Sequence, residues 1–201
     1  MRSCNVTTKF CLKLAIAALA IVAGCATAQS PAVDPATRPA VTTVYLVRHA
    51  EKSTLAPTDP DITVAGKERA AALATRLRTA GVDAIIVTQF KRTLETAKPL
   101  ASTIGVVPEI VPAGGSHHAD SVAAAVMRHR GGKILIVGHS NTLAPIIAAL
   151  GGPRLPDLCD SEYSNLYVLY IPASGHAELT RHHYGAADRA PDSACEAMQT
   201  H

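Results

Sequence analysis

Three short segments of this chain carry side chains suited to holding an anion: Arg48-His49, Thr88 to Arg92, and Gly138-His139. An arginine fork matches the oxygens of a phosphate and stays charged at any working pH. A histidine is a nucleophile when neutral and an anion-binding cation when protonated. Two arginines and two histidines at one place would therefore suit a phosphorylated dianion, and helix N-termini nearby would add backbone N–H groups. No carboxylate cluster or metal-ligand spacing accompanies these residues, so the expected chemistry needs no metal. Adjacent histidines on a strand point to opposite faces, so the doublets His117-His118 and His182-His183 are not read as metal ligands.

The elements that must position these groups follow from periodicity and punctuation. Thr43 to Val47 is a β-branched apolar run and predicts a buried strand. Thr63 is a good N-cap for a helix from Val64 to about Ala80, stopped by Gly81. Ala84 to Val87 predicts a second strand, Thr93 to Ile104 a helix ended by Gly105, and Val106 to Val111 a short third strand. A helix over Asp120 to His129, a strand over Lys133 to Val137 and a helix over Thr142 to Leu150 follow. Leu166 to Ile171 and Ala177 to His183 predict two closing strands. Strands alternating with helices imply a three-layer α/β/α sandwich with a mostly parallel sheet. Such sheets bind ligands at the carboxyl ends of their strands, and that edge is where the three segments fall. Tyr163, Tyr167, Tyr170 and Tyr184 are read as core and edge packing.

The chain has 201 residues, enough for one domain with an appendage. Arg2, Lys9 and Lys13 precede an apolar run from Leu14 to Ala23, which has the length of a signal peptide's apolar region and is too short to span a bilayer. Val22-Ala23-Gly24-Cys25 is similar to the lipobox of bacterial lipoproteins, which would make residues 1–24 a cleaved signal and Cys25 a lipidation site. Ala26-Thr27-Ala28 offers the alternative of ordinary signal cleavage. The expected location is the periplasmic face of a bacterial membrane as a lipoprotein, or the soluble periplasm. Residues 25–40, with Pro31, Pro35 and Pro39, read as a tether, residues 41–185 as the domain and 186–201 as a C-terminal tail. Without the signal the basic and acidic side chains balance at 16 each, so the basic character of the whole chain does not point to nucleic acid. Cys159 and Cys195 are an even pair for an oxidising compartment once Cys25 is set aside, and predict a disulfide that ties the tail to the body.

Four segments resemble a family. Leu46-Val47-Arg48-His49-Ala50-Glu51 resembles the RHG/RHA signature of the histidine phosphatase superfamily (branch 1), which includes the phosphoglycerate mutases. Ile62-Thr63-Val64-Ala65-Gly66 is similar to its LTxxG segment, and Thr88 through Arg92 to Thr96-Ala97 to its SxxxRxxxTA segment. Val137-Gly138-His139-Ser140 is similar to its second-histidine motif. The four occur in the family's order within residues 41–185. The resemblance implies a phosphoglycerate mutase-like fold and an acid-type histidine phosphatase, a phosphoric monoester hydrolase, with no cofactor. His49 would be the nucleophile that becomes phosphohistidine, and Arg48, Arg92 and His139 would hold the phosphoryl oxygens. Thr88, Asn141 and Ser53 are near enough in sequence to line the pocket. Glu51 either orients a neighbour or pairs with Lys52.

One part of the family's pattern is missing. The loop after the third strand, residues 112–120, carries no glutamate to protonate the leaving oxygen. His117, His118 or Asp120 stands in its place, Glu109 is less well placed, or the substrate is one that needs no acid, such as phosphohistidine or an acyl phosphate. The short stretches Leu55–Thr63 and Arg92–Lys133 predict an open, shallow pocket, which disfavours a mutase; a phosphotransferase or mutase is the third reading. The expected partner is a phosphorylated small molecule or protein, with no nucleic acid, and a membrane through the lipid anchor if Cys25 is modified. The alternative reading is a non-catalytic lipoprotein that binds phosphate or a phosphosugar.

Overall fold

A computed structural model describes residues 41–55, 58–190 and Cys195. The signal, the lipidation site at Cys25 and the tether predicted for residues 1–40 lie outside the described residues. Six strands form one sheet: β1 (Thr42–Arg48), β2 (Ala84–Val87), β3 (Glu109–Ile110), β4 (Lys133–Gly138), β5 (Asn165–Ile171) and β6 (Glu178–His183). Four helices accompany them: α1 (Val64–Leu77), α2 (Lys91–Ile104), α3 (His118–Arg128) and α4 (Leu143–Ala149). The strand order is β3-β2-β4-β1-β5-β6. The β3-β2-β4-β1 part is parallel, and β5 and β6 close it antiparallel. This is the predicted α/β/α sandwich.

Alternation along the strands builds the two outer layers. Ile134 and Ile136 of β4 pack with Val44, Leu46 and Ile86 under Val122, Val126, Ile146 and Ile147 of α3 and α4. Leu135 and Val137 turn to the other face, with Val47, Ile85 and Val87, under Leu73 and Leu77 of α1 and Leu100 of α2. Each fully buried aliphatic side chain here contributes about 1.5–3 kcal/mol of transfer free energy. The carboxyl edge of the parallel strands is thus held by two separate apolar layers.

The element boundaries differ from expectation by more than one residue at four places, one of them the start of the second helix at Lys91 rather than Thr93. The first helix ends at Leu77 rather than Ala80, because Arg78 caps it through its N–H to Ala74 O and a tight turn follows. The third strand shrinks to Glu109–Ile110, since Pro108 has no N–H to give to a ladder. The third helix starts two residues early, at His118, with His117 at its N-cap. Thr63 caps α1 as predicted, accepting from Gly66 N at 3.1 Å. Gly105 ends α2 at φ 71°, the left-handed conformation that favours glycine.

Candidate active site

The parallel register of β1 and β4 pairs Arg48 with Gly138, so the next residue of each strand, His49 and His139, arrives at the same edge. His49 N donates to Gly138 O at 2.9 Å, and the two rings stand edge to face with centroids 5.3 Å apart. Nδ1 of His49 lies 2.8 Å from Ala50 O. A carbonyl oxygen only accepts, so Nδ1 carries the proton and Nε2 keeps the nucleophilic lone pair. His49 is only 3% exposed. Burial, with Arg48, His139 and Arg92 nearby, pushes its pKa down to about 3. It is therefore neutral at any ordinary pH, as a nucleophile requires.

His139 is neutral too. Burial first, then Arg92, His118 and Arg48, push its pKa down to about 4. Its Nε2 lies 3.1 Å from Thr88 Oγ1 and its Nδ1 lies 3.4 Å from Nη2 of Arg92. Arginine only donates, so Nδ1 accepts and Nε2 carries the hydrogen. Thr88 Oγ1 sits 3.0 Å from Thr93 Oγ1, and the Thr93 hydroxyl is aimed at Phe90 O at 2.8 Å. Thr88 therefore donates onward to Thr93 and accepts from His139, which agrees with that tautomer.

Arg92 opens α2 and lies over the Phe90 ring, 4.2 Å from its centroid. Its Nη1 is 3.8 Å from Asp59 Oδ1. Four residues on, Thr96 accepts from Ala50 N at 2.8 Å and donates to Arg92 O at 2.6 Å. Thr96 thus fastens the first turn of α2 to Ala50, the residue after His49. Gly66 has a comparable role in α1: a Cβ there would come within 2.5 Å of Glu51 O. One turn on, buried Arg69 pairs with Glu51 at 2.8 Å and donates to Tyr184 O at 3.0 Å. Glu51 therefore pairs with Arg69 and not with its neighbour Lys52.

Arg48 is held differently from Arg92. Its Nη1 donates to the carbonyls of Cys159 (2.8 Å), Asp160 (3.2 Å) and Glu162 (3.2 Å). Its Nη2 donates to Asp160 Oδ1 at 3.2 Å and Tyr163 Oη at 3.4 Å. The guanidinium lies 4.1 Å from the centroid of Tyr163, and that ring stands 6.2 Å from His49. What remains on Arg48 is Nε–H, buried and without a partner among the described residues. Nε of Arg92 is in the same state. Leaving such donors unpaired costs about 1–3 kcal/mol each, which an anion would recover.

The acid candidates separate by burial. The side chains of His117 and Asp120 are 88% and 77% exposed and face each other at 3.8 Å. Glu109 is occupied by Arg128 and by His129 at 3.5 Å. His118 alone turns inward: it is 8% exposed, its Nδ1 lies 2.9 Å from Pro112 O, and its charge would be felt by His139. Asn141 lies beside that segment, lining a cavity of 310 Å³ with Gly114, Ser116 and His118. Ser53 lies on the opposite flank, in a cavity of 740 Å³ with Glu51, Lys52, Asp160 and Tyr163.

Tyr163 is the residue that sequence reasoning missed, having been assigned to packing. Strand direction carries the signal: an antiparallel β5 beside β1 must be entered from the carboxyl edge of β1, so residues 159–164 arrive at the site. The predicted Cys159–Cys195 disulfide is present, with Cα atoms 5.3 Å apart.

Residues 44–113 match the sequence model of the histidine phosphatase superfamily (branch 1), a span holding the first three of the four motifs. No curated protein matches the chain significantly. Solved structures do. A mycobacterial glucosyl-3-phosphoglycerate phosphatase aligns over 73% of this chain and 100% of its own, at 16% identity and a TM-score of 0.56. The protein histidine phosphatase SixA, complexed with tungstate, aligns over 70% and 96% at 15% identity and 0.57. A phosphoserine phosphatase of Entamoeba histolytica aligns over 73% and 98% at 14% identity and 0.55. At these identities the likeness establishes the fold, which is the phosphoglycerate mutase-like fold predicted from the motifs.

Proposed function

We propose that this histidine phosphatase fold is a working phosphohydrolase that acts through phosphohistidine at His49. The observation that carries the reading is the neutral His49 with Nδ1–H held on Ala50 O, beside His139 and two arginines with unpaired buried Nε–H groups. Nε2 would attack phosphorus in line as the bond to the leaving oxygen breaks. Arg48, Arg92 and His139 would balance charge on the three equatorial oxygens. Water would then attack the phosphohistidine, releasing inorganic phosphate and restoring neutral His49. The names of the structural neighbours, two of which are phosphomonoester phosphatases and one a protein histidine phosphatase, support a phosphorylated small molecule or protein as substrate. The exposed His117 and Asp120 favour substrates whose leaving groups need little protonation, such as phosphohistidine or acyl phosphates. The leader and the disulfide together support an exported location, with Cys25 as a lipid anchor or cleavage after Ala28.

The test is phosphate release from p-nitrophenyl phosphate and acetyl phosphate by the full chain, with EDTA present, beside His49→Ala. Turnover that survives EDTA and vanishes in the variant supports the proposal. Phosphate binding without turnover of either substrate would favour the non-catalytic binding protein, and transfer to an acceptor other than water would favour a phosphotransferase.

A further inference from the structure

Backbone carbonyls accept three of the five hydrogen bonds that seat Arg48, and the other two go to Asp160 Oδ1 and Tyr163 Oη. Three carbonyls, of Cys159, Asp160 and Glu162, converge on one guanidinium nitrogen. Aligned carbonyl oxygens repel one another, and residues 159–164 belong to no strand or helix that would hold them. The one carboxylate in the seat, on Asp160, is 93% exposed, so water screens most of its attraction. Something else must fix the path of this loop. Beside the backbone bonds Leu158 N to Ser140 O (3.1 Å), Glu162 N to Cys159 O (3.0 Å) and Tyr184 N to Ser164 O (3.0 Å), two staples come from the C-terminal segment. Cys195 is bonded to Cys159 at the loop's start. Asp188 Oδ1 accepts from Tyr163 N and Ser164 N at 2.8 Å each, and its Oδ2 accepts from Ser164 Oγ at 2.7 Å, at the loop's end. Between them, Glu162 Oε2 accepts from Cys159 N at 2.7 Å.

We propose that the Cys159–Cys195 disulfide is a positioning clamp for Arg48: it fixes the carbonyl seat that aims this arginine at the phosphoryl group. Both terminal nitrogens of Arg48 are committed to the loop, so the loop's path determines where Nε–H lies. A stable fold does not need this geometry, because Arg48 could be solvated if the loop opened. Anion binding does need it. The disulfide closes a loop of 36 residues and so also stabilises the folded state, and the two effects must be separated by experiment. The proposal rests on the reading of Arg48 as a phosphoryl ligand.

The test is a double-mutant cycle on the full chain, reading affinity for inorganic phosphate by calorimetry and kcat and KM for p-nitrophenyl phosphate. The disulfide is removed as Cys159→Ser with Cys195→Ser, in the Arg48 and Arg48→Ala backgrounds, at a temperature where circular dichroism shows every variant folded. Loss of the disulfide is expected to weaken phosphate binding about tenfold with Arg48 present and less than twofold with Arg48→Ala. Equal weakening in both backgrounds, or none in either while Arg48→Ala itself weakens binding, overturns the clamp alone. Arg48→Ala without effect on phosphate overturns the ligand reading and the clamp with it. Should the double serine variant not fold, Asp188→Asn loosens the other end of the loop with the disulfide intact. The same coupling to Arg48 is then expected, and its absence overturns the proposal.

Discussion

Thr88 Oγ1 accepts a hydrogen bond from His139 Nε2 at 3.1 Å, and through it the end of β2 sets the tautomer of a histidine at the end of β4. The proton on Nε2 leaves Nδ1 as the acceptor beside Arg92. An anion arriving at that side would need a donor there, so His139 would take up a proton at Nδ1 as phosphate binds. The low pKa of about 4 belongs to the site without its anion.

Thr88→Val tests this relationship. Valine keeps the volume and removes the acceptor, leaving a buried N–H unpaired at a cost of about 1–3 kcal/mol. The expected result is a fall of about tenfold or more in kcat/KM with a shifted pH profile. An unchanged profile would show that Thr88 only packs.

Arg92→Ala removes the only site arginine whose Nη groups are not fixed by backbone carbonyls. Loss of one charge-stabilising donor group typically costs about 3 kcal/mol, or about a hundredfold in kcat. Weaker phosphate binding should accompany it. Arg92→Lys should recover the charge but not the planar fork, so it should restore affinity in part.

Stability should depend on pH with a definite sign. His49 and His139 have folded pKa values of about 3 and about 4, against about 6.5 in an unfolded chain. Between pH 6.5 and 4 the unfolded state binds these protons and the folded state does not. Folding stability therefore falls as pH drops through that window, by up to about 1.4 kcal/mol per pH unit for each histidine. Urea denaturation of the phosphate-free protein at several pH values measures this. His49→Asn should show a shallower decline than the parent, and parallel curves would contradict the assigned burial cost.

His118 is the acid candidate that the structure turns inward, close enough for its charge to act on His139, and it can be tested through the leaving group. With Nδ1–H on Pro112 O, only its cation has a proton to give from Nε2. His118→Gln is expected to slow phenyl phosphate hydrolysis more than that of acetyl phosphate. His117→Ala and Asp120→Asn, at exposed positions, should leave both rates near the parent's. Equal slowing of the two substrates by His118→Gln would remove it as a proton donor.

Much of this site was legible because it depends on local rules. The strand-helix alternation, the Thr63 cap and Gly105 located the elements, and the carboxyl-edge rule put His49, Arg92 and His139 together. The expected opposite facing of the histidine doublets also appears, for different reasons. His182 and His183 alternate on β6, touching Thr180 and Ser164 respectively. His117 and His118 diverge because α3 begins between them. The partners of Arg48 were not legible, since three are backbone carbonyls more than a hundred residues away and carry no side-chain signal. Glu51 found Arg69 rather than Lys52 because Gly66 lets α1 approach the Glu51 backbone, a tertiary effect that sequence adjacency does not reveal.

The most direct measurement is rapid acid-free quenching of the full chain with radiolabelled acetyl phosphate, followed by peptide mass spectrometry. The account predicts one acid-labile, base-stable phosphoryl group on Nε2 of His49, formed and lost at rates consistent with turnover and absent from His49→Ala. Turnover retained in His49→Ala, or a phosphoryl group found on another residue, would contradict it.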